Sequence, residues 1–252
     1  MQNSNYFPPL LYAPRTKPRA CFRLICFPYA GGCASAFLEW ERALSPDLEL
    51  VVVQMPGRGV RFLEPPYQTM QDLVYDLIAS LERFRDKPFI FFGHSMGARV
   101  AYELTLTLYR YQRKLPIHFI SSASSSPNSE KIRDPIHQLP DREFLKMLAS
   151  MQGTSEEVLQ NEEIMRLLIP SLRADFKIIE NYSTAAKVVL PCGISVFAGD
   201  KDDIKDEQLK AWFPLFKECT GIHMISGGHF FIRKNSEGVL SAIKGITKSL
   251  LR

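Results

Sequence analysis

Apolar and polar residues alternate along this chain in two rhythms. Short runs that are apolar at nearly every position have the length of strands: FRLICF (22–27), LELVVVQM (48–55), PFIFFG (88–93), IHFISSA (117–123), CGISVFAG (192–199) and GIHMIS (221–226). Between them the spacing changes to three and four. In TMQDLVYDLIASLERF (69–84), Met70, Leu73, Val74, Leu77, Ile78 and Leu81 share one face of a predicted helix. Helices are also predicted near 35–44 and over 95–114, 206–216 and 237–252. Strands with no polar face need cover on both sides, which predicts an α/β protein with a mostly parallel sheet between helix layers.

The alternation stops between about 125 and 185. SSSPNSEKIRDPIHQLP is polar and loop-like, and DREFLKMLASM and EEIMRLLIPSLRADFKIIENY are helical with no strand between them. The expected organisation is a single domain over 1–252, with this helical insertion laid as a lid over the C-terminal edge of the sheet. Apolar lid positions Phe144, Leu145, Leu148, Ile164, Leu167, Leu168 and Phe176 serve either an acyl pocket or plain helix packing.

Composition alters this picture little. The 252 residues are 46% hydrophobic and 23% charged, with a net charge of +4. The basic residues are not clustered as in a nucleic-acid binder, so no nucleic-acid partner is expected. Five scattered cysteines without a CxxC point to neither a metal site nor a disulfide framework. Prolines interrupt the N-terminal lead where a signal peptide needs an apolar run, and no stretch has membrane-spanning length. A soluble cytoplasmic protein with no membrane partner is expected.

The chemistry gathers around GHSMG, where Ser95 stands between Gly93 and Gly97 after a predicted strand and before a predicted helix. A sharp turn at this junction lifts a serine hydroxyl above the sheet edge, beside the free N–H groups of the helix start. Such a hydroxyl needs a base, and the base needs an orienting group. Of the five histidines, His229 follows SGG after the last predicted strand, on a loop able to reach the sheet edge. His94 is read as structural, His118 and His223 lie within strands, and His137 lies in the polar loop. For the acid, Asp202 stands three residues past Gly199, with Asp200 the alternative. One oxyanion donor is the N–H of Met96, and the second belongs to the loop FPYAGG (27–32).

With these pieces placed, the chain resembles type II thioesterases of nonribosomal peptide and polyketide assembly lines. It is similar also to the medium-chain acyl thioesterases of fatty-acid synthesis. The resemblance rests on ICFPYAGG (25–32), MPGRGVRFLEPP (55–66), FFGHSMGARVAYEL (91–104), LIPSLRADFKIIENY (168–182), FAGDKD and GGHFFI (227–232). It implies an α/β-hydrolase fold with a helical lid and no metal or cofactor. It further implies Ser95 as nucleophile, His229 as base, Asp202 as orienting acid, and the backbone of Met96 and Ala30 as oxyanion hole. Gly59 departs from the pattern, because relatives often carry Glu after the Arg. The implied activity, in antibiotic or siderophore biosynthesis, is hydrolysis of stray acyl thioesters on the phosphopantetheine arm of an acyl or peptidyl carrier protein. The alternatives are a fatty acyl-carrier or acyl-CoA thioesterase and a carboxylesterase. A monomer is expected, since a lid-covered site needs no second subunit.

Overall fold

The computed structural model describes residues 9–129, 134–151, 153, 156–184 and 187–251. The first eight residues of the proline-rich lead, 130–133, 152, 154–155 and 185 of the expected insertion, residue 186, and residue 252 at the end of the last predicted helix lie outside the described residues. The strands are β1 (Leu11–Tyr12), β2 (Phe22–Phe27), β3 (Leu48–Val53), β4 (Phe89–His94), β5 (His118–Ser122), β6 (Leu190–Gly199) and β7 (Phe216–Ile225). They form one sheet in the order β1-β3-β2-β4-β5-β6-β7. Among the described strands only the β1–β3 pair is antiparallel.

Every residue of β2, β3, β4 and β5 is buried, which is why these segments lack a polar face. Successive side chains alternate between two cores. Ile25, Val51, Phe91 and Phe119 meet α3 (Met70–Leu81) and α4 (Met96–Arg110) on one side. On the other, Leu24, Leu50, Ile90 and Ile120 meet α1 (Ser35–Leu38), α2 (Trp40–Ala43) and α10 (Ser236–Leu250) through Phe37, Trp40 and Ile243.

Between β5 and β6 lie α5 (Asp141–Ser150), α6 (Glu156–Gln160) and α7 (Glu162–Asn181). Phe144, Leu148, Met165, Ile169 and Leu172 give this insert a small core of its own. Leu145, Leu168 and Phe176 pack against that core, while Ile164 and Leu167 are exposed. Helix packing therefore accounts for five of the seven apolar positions flagged in the sequence.

Boundaries differ from the sequence pattern where its signal is weak. The edge strand β1 is two residues long, and α6 is a single short turn. The predicted 206–216 helix is α8 (Asp206–Lys210) followed by a 3-10 turn, Phe213–Leu215, and Phe216 already opens β7. The first half of β7 escapes the pattern because Lys217, Glu218, Cys219 and Thr220 are exposed on an edge strand. Helix α4 ends at Arg110, four residues early, and Gln112 has turned to φ 52°.

One strand histidine makes stability depend on pH. The His118 Nε2 lies 2.8 Å from Ser195 Oγ, which lies 2.6 Å from Thr220 Oγ1. Burial, with a smaller contribution from His223, pushes His118 down to about 4. The unfolded chain, with its imidazole near 6.5, takes up the proton first as pH falls. Stability contributed by neutral His118 is therefore present above 6.5 and lost on descending to about 4. The urea midpoint is expected to fall between pH 7 and pH 5, and His118→Gln to flatten part of that fall. Identical profiles for the two proteins would contradict this.

Candidate active site

The turn after β4 is built by close approaches that only glycine permits. A Cβ on Gly93 would stand 2.4 Å from Ala98 Cα, and one on Gly97 2.1 Å from the Phe27 carbonyl oxygen. Ser95 between them sits at φ 54°, ψ −117°, a strained backbone for a residue with a side chain. Its N–H donates to the Ser122 carbonyl at 2.8 Å, and its carbonyl accepts from Ala98 N–H at 3.1 Å. The turn thus stands between the end of β5 and the first turn of α4, with the Ser95 side chain half-buried at the strand ends.

Two loops bring the partners. A Cβ on Gly199, at the end of β6, would stand 2.4 Å from the Gly227 carbonyl oxygen, so the loop after β7 rests directly on β6. Lys201 N–H donates to that carbonyl at 3.0 Å, and Gly227 N–H donates to Asp200 Oδ1 at 2.8 Å. This lacing leaves Asp200 occupied with the loop backbone and turns Asp202 toward the imidazole. His229 Nδ1 is 2.9 Å from Asp202 Oδ2, and His229 Nε2 is 2.9 Å from Ser95 Oγ. The Asp202 side chain is 7% exposed and that of His229 31%, so the carboxylate is sheltered while the ring borders solvent. Phe231, in α9 (Phe231–Lys234), is fully buried behind the loop.

The other histidines are placed elsewhere. His94 is fully buried, with Nδ1 2.9 Å from Ser122 Oγ, and its ring centroid lies 5.6 Å from that of His229. Burial first, and the neighbouring His229 second, hold its pKa well below the ordinary value, so it remains a neutral support. His137 pairs with Glu180 at 2.5 Å, and the His223 ring packs on Phe197.

Met96 is the first residue of α4, and Ala30 lies on the loop after β2. The contact of Gly97 with Phe27 and Pro28 brings that loop against the helix start. Among the described residues, neither the Met96 nor the Ala30 N–H has a backbone acceptor in the turns and loops.

A buried ion pair beside this loop escaped the sequence. Arg58 donates from Nη1 and Nη2 to Asp175 at 2.5 and 2.8 Å, and the residues are 4% and 1% exposed. Burial opposes the guanidinium charge, but Asp175 outweighs it and raises the Arg58 pKa. Both partners lie in stretches that carry the resemblance, PGRG and LRAD, yet nothing in the spacing pairs them. Gly59 follows at φ 54°, next to the Gln54 amide. Among the described residues no group of three or more His, Cys, Asp or Glu is arranged to hold a metal ion. No described helix is long and apolar enough to cross a membrane.

A serine at a strand-to-helix turn, joined to an imidazole and a carboxylate from the loops after the last two strands of such a sheet, defines an α/β hydrolase. Within that class the chain belongs to the thioesterase family, whose thioesterase-domain model matches residues 22–247. The protein is therefore a hydrolase of thioesters. It is 37% identical over 245 residues to linear gramicidin dehydrogenase LgrE of Brevibacillus parabrevis, covering 96% of this chain and 93% of that one. It is 33% identical over 242 residues to the medium-chain S-acyl fatty acid synthase thioesterase of Anas platyrhynchos, covering 94% and 95%. Among solved structures, the type II thioesterase BorB from the borrelidin biosynthetic cluster is 29% identical. It superposes with a TM-score of 0.84 over 94% of this chain and 96% of that one.

Proposed function

We propose that this thioesterase acts in the cytoplasm on acyl groups held by the phosphopantetheine arm of carrier proteins. In peptide or polyketide assembly it removes those that are stray or aberrant. The observation that carries the chemistry is the continuous chain Ser95 Oγ, His229 Nε2, His229 Nδ1, Asp202 Oδ2, with 2.9 Å at each contact. Ser95 attacks the thioester carbonyl while His229 takes its proton, and Asp202 holds the ring in the tautomer that leaves Nε2 free to accept. The tetrahedral oxyanion faces the N–H groups of Met96 and Ala30. The C–S bond breaks, the thiolate departs with a proton from His229, and water activated by the same imidazole releases the acid. A thiol leaves with a pKa near ~8.5, well below an alcohol's, so selectivity rests on admission of the acyl arm. The insert from α5 to α7 is the lid that governs admission.

The word dehydrogenase in one relative's name finds no counterpart here. The loop FPYAGGCAS after β2 lacks the G-x-G-x-x-G spacing with which a dinucleotide fold follows its first strand.

The test is turnover of one acyl group presented on a carrier, on coenzyme A and as a nitrophenyl ester. Carrier contacts worth about 1.4 kcal/mol make kcat/KM for the loaded carrier about tenfold that for the coenzyme A thioester. Preference for the oxygen ester would refute thioester specialisation, and equal use of coenzyme A would refute carrier recognition.

A further inference from the structure

Asp175 belongs to the insert, about two-thirds of the way along α7, yet its carboxylate is directed out of the insert into the loop after β2. Oδ2 accepts from Gly31 N–H at 2.7 Å as well as from Arg58 Nη1 at 2.5 Å, and Oδ1 accepts from Arg58 Nη2 at 2.8 Å. Arg58 Nη1 also lies 3.3 Å from the Gly32 carbonyl oxygen, and Gln54 Nε2 donates to the Arg58 carbonyl at 2.9 Å. Gly31 sits at φ 76°, where a Cβ would stand 2.6 Å from Leu172 Cδ2. Gly32 N–H closes the turn on the Tyr29 carbonyl at 2.8 Å. The residue enclosed by these anchors is Ala30.

Removing two charges from water costs several kcal/mol per ion, and apolar replacements of similar volume often stabilise a fold equally well. Cohesion between insert and sheet therefore does not account for an ion pair here. Orientation does, because a bidentate guanidinium–carboxylate pair fixes angles that apolar contacts leave loose. Beyond its own two contacts the pair also binds the backbone of the two residues that follow Ala30, the Gly31 N–H through Asp175 and the Gly32 carbonyl through Arg58.

We infer that Arg58 and Asp175 are positioning residues, holding the loop after β2 so that the Ala30 N–H meets the oxyanion, and only while α7 is docked. The insert then completes the oxyanion hole as well as covering it, and hydrolysis is confined to the docked arrangement. The inference rests on the proposed roles of Ser95 and Ala30.

The decisive variant is the double replacement Arg58→Met/Asp175→Leu, which removes both charges and leaves no orphaned ion. The probes are the N-acetylcysteamine thioester of octanoic acid and an alkyl trifluoromethyl ketone, which forms a tetrahedral adduct with an active serine. Against wild type, kcat is expected to fall about 100-fold, the scale of losing one oxyanion donor. Ketone affinity falls in parallel, and KM moves by no more than about threefold. A purely structural pair would lower the melting temperature without this split. Arg58→Lys keeps the charge and the Asp175–Gly31 bond but loses the two-pronged pairing, so its kcat is expected to fall part of the way, about tenfold, at constant KM. If the double variant does not fold, Arg58→Lys decides, because it leaves a charge opposite Asp175 and changes only the pairing geometry. Wild-type kcat and ketone affinity in the folded double variant, or in Arg58→Lys where that variant decides, overturn the inference. If wild type itself forms no ketone adduct, the Ser95 reading fails first and this inference falls with it.

Discussion

Ser95→Ala is expected to lower kcat for thioester hydrolysis by about 10⁴-fold or more, because the variant has no atom to form the acyl-enzyme. Ser122 Oγ, at the neighbouring strand end, does not stand in for it, being engaged with His94 Nδ1 at 2.9 Å. The fold is expected to survive. The turn is held by the backbone bonds of residue 95 and by the close approaches at Gly93 and Gly97, none of which uses the hydroxyl. The melting temperature should therefore stay within about 2 °C of wild type. His229→Ala is expected to cost a similar factor, and the double variant no more than either single one, as the proposed pairing of nucleophile and base requires. Steady-state kinetics on the three variants, with calorimetry alongside, check this. Multiplying losses in the double variant would mean that the two residues act independently.

The second large effect separates two aspartates that are neighbours in sequence. Asp202→Asn is expected to lower kcat about 10³- to 10⁴-fold, because an amide facing Nδ1 stabilises the tautomer that places a proton on Nε2. Asp200→Asn should cost no more than about tenfold, since that carboxylate accepts from Gly227 N–H at 2.8 Å and makes no bond to the imidazole. Both variants keep the volume of the side chain, so the contrast reports hydrogen-bonding role. Reversed magnitudes would exchange the two assignments.

Much of this arrangement is legible in the chain because its determinants are local. Strands β2 to β5 are covered on both faces, and that burial writes an uninterrupted apolar run. The turn at Ser95 needs small residues two positions to either side, and His229 and Asp202 stand at short, fixed distances from glycines that close their loops. What stays hidden depends on contacts distant in sequence or on exposed edges. The polar start of β7 makes ladder bonds at the rim of the sheet, where no apolar pattern is required. Arg58 and Asp175 are 117 residues apart, and each reads alone as an ordinary solvated charge. Only folding α7 onto the loops after β2 and β3 reveals that both are buried.

The most direct test of the account is covalent. Treating wild type with a fluorophosphonate and mapping the modified peptide should find one adduct, on Ser95, with labelling slowed at least about 100-fold in His229→Ala, where no base takes the proton. An adduct on another residue, or wild-type protein left unmodified under conditions in which it hydrolyses thioesters, would contradict the assignment of Ser95 as nucleophile.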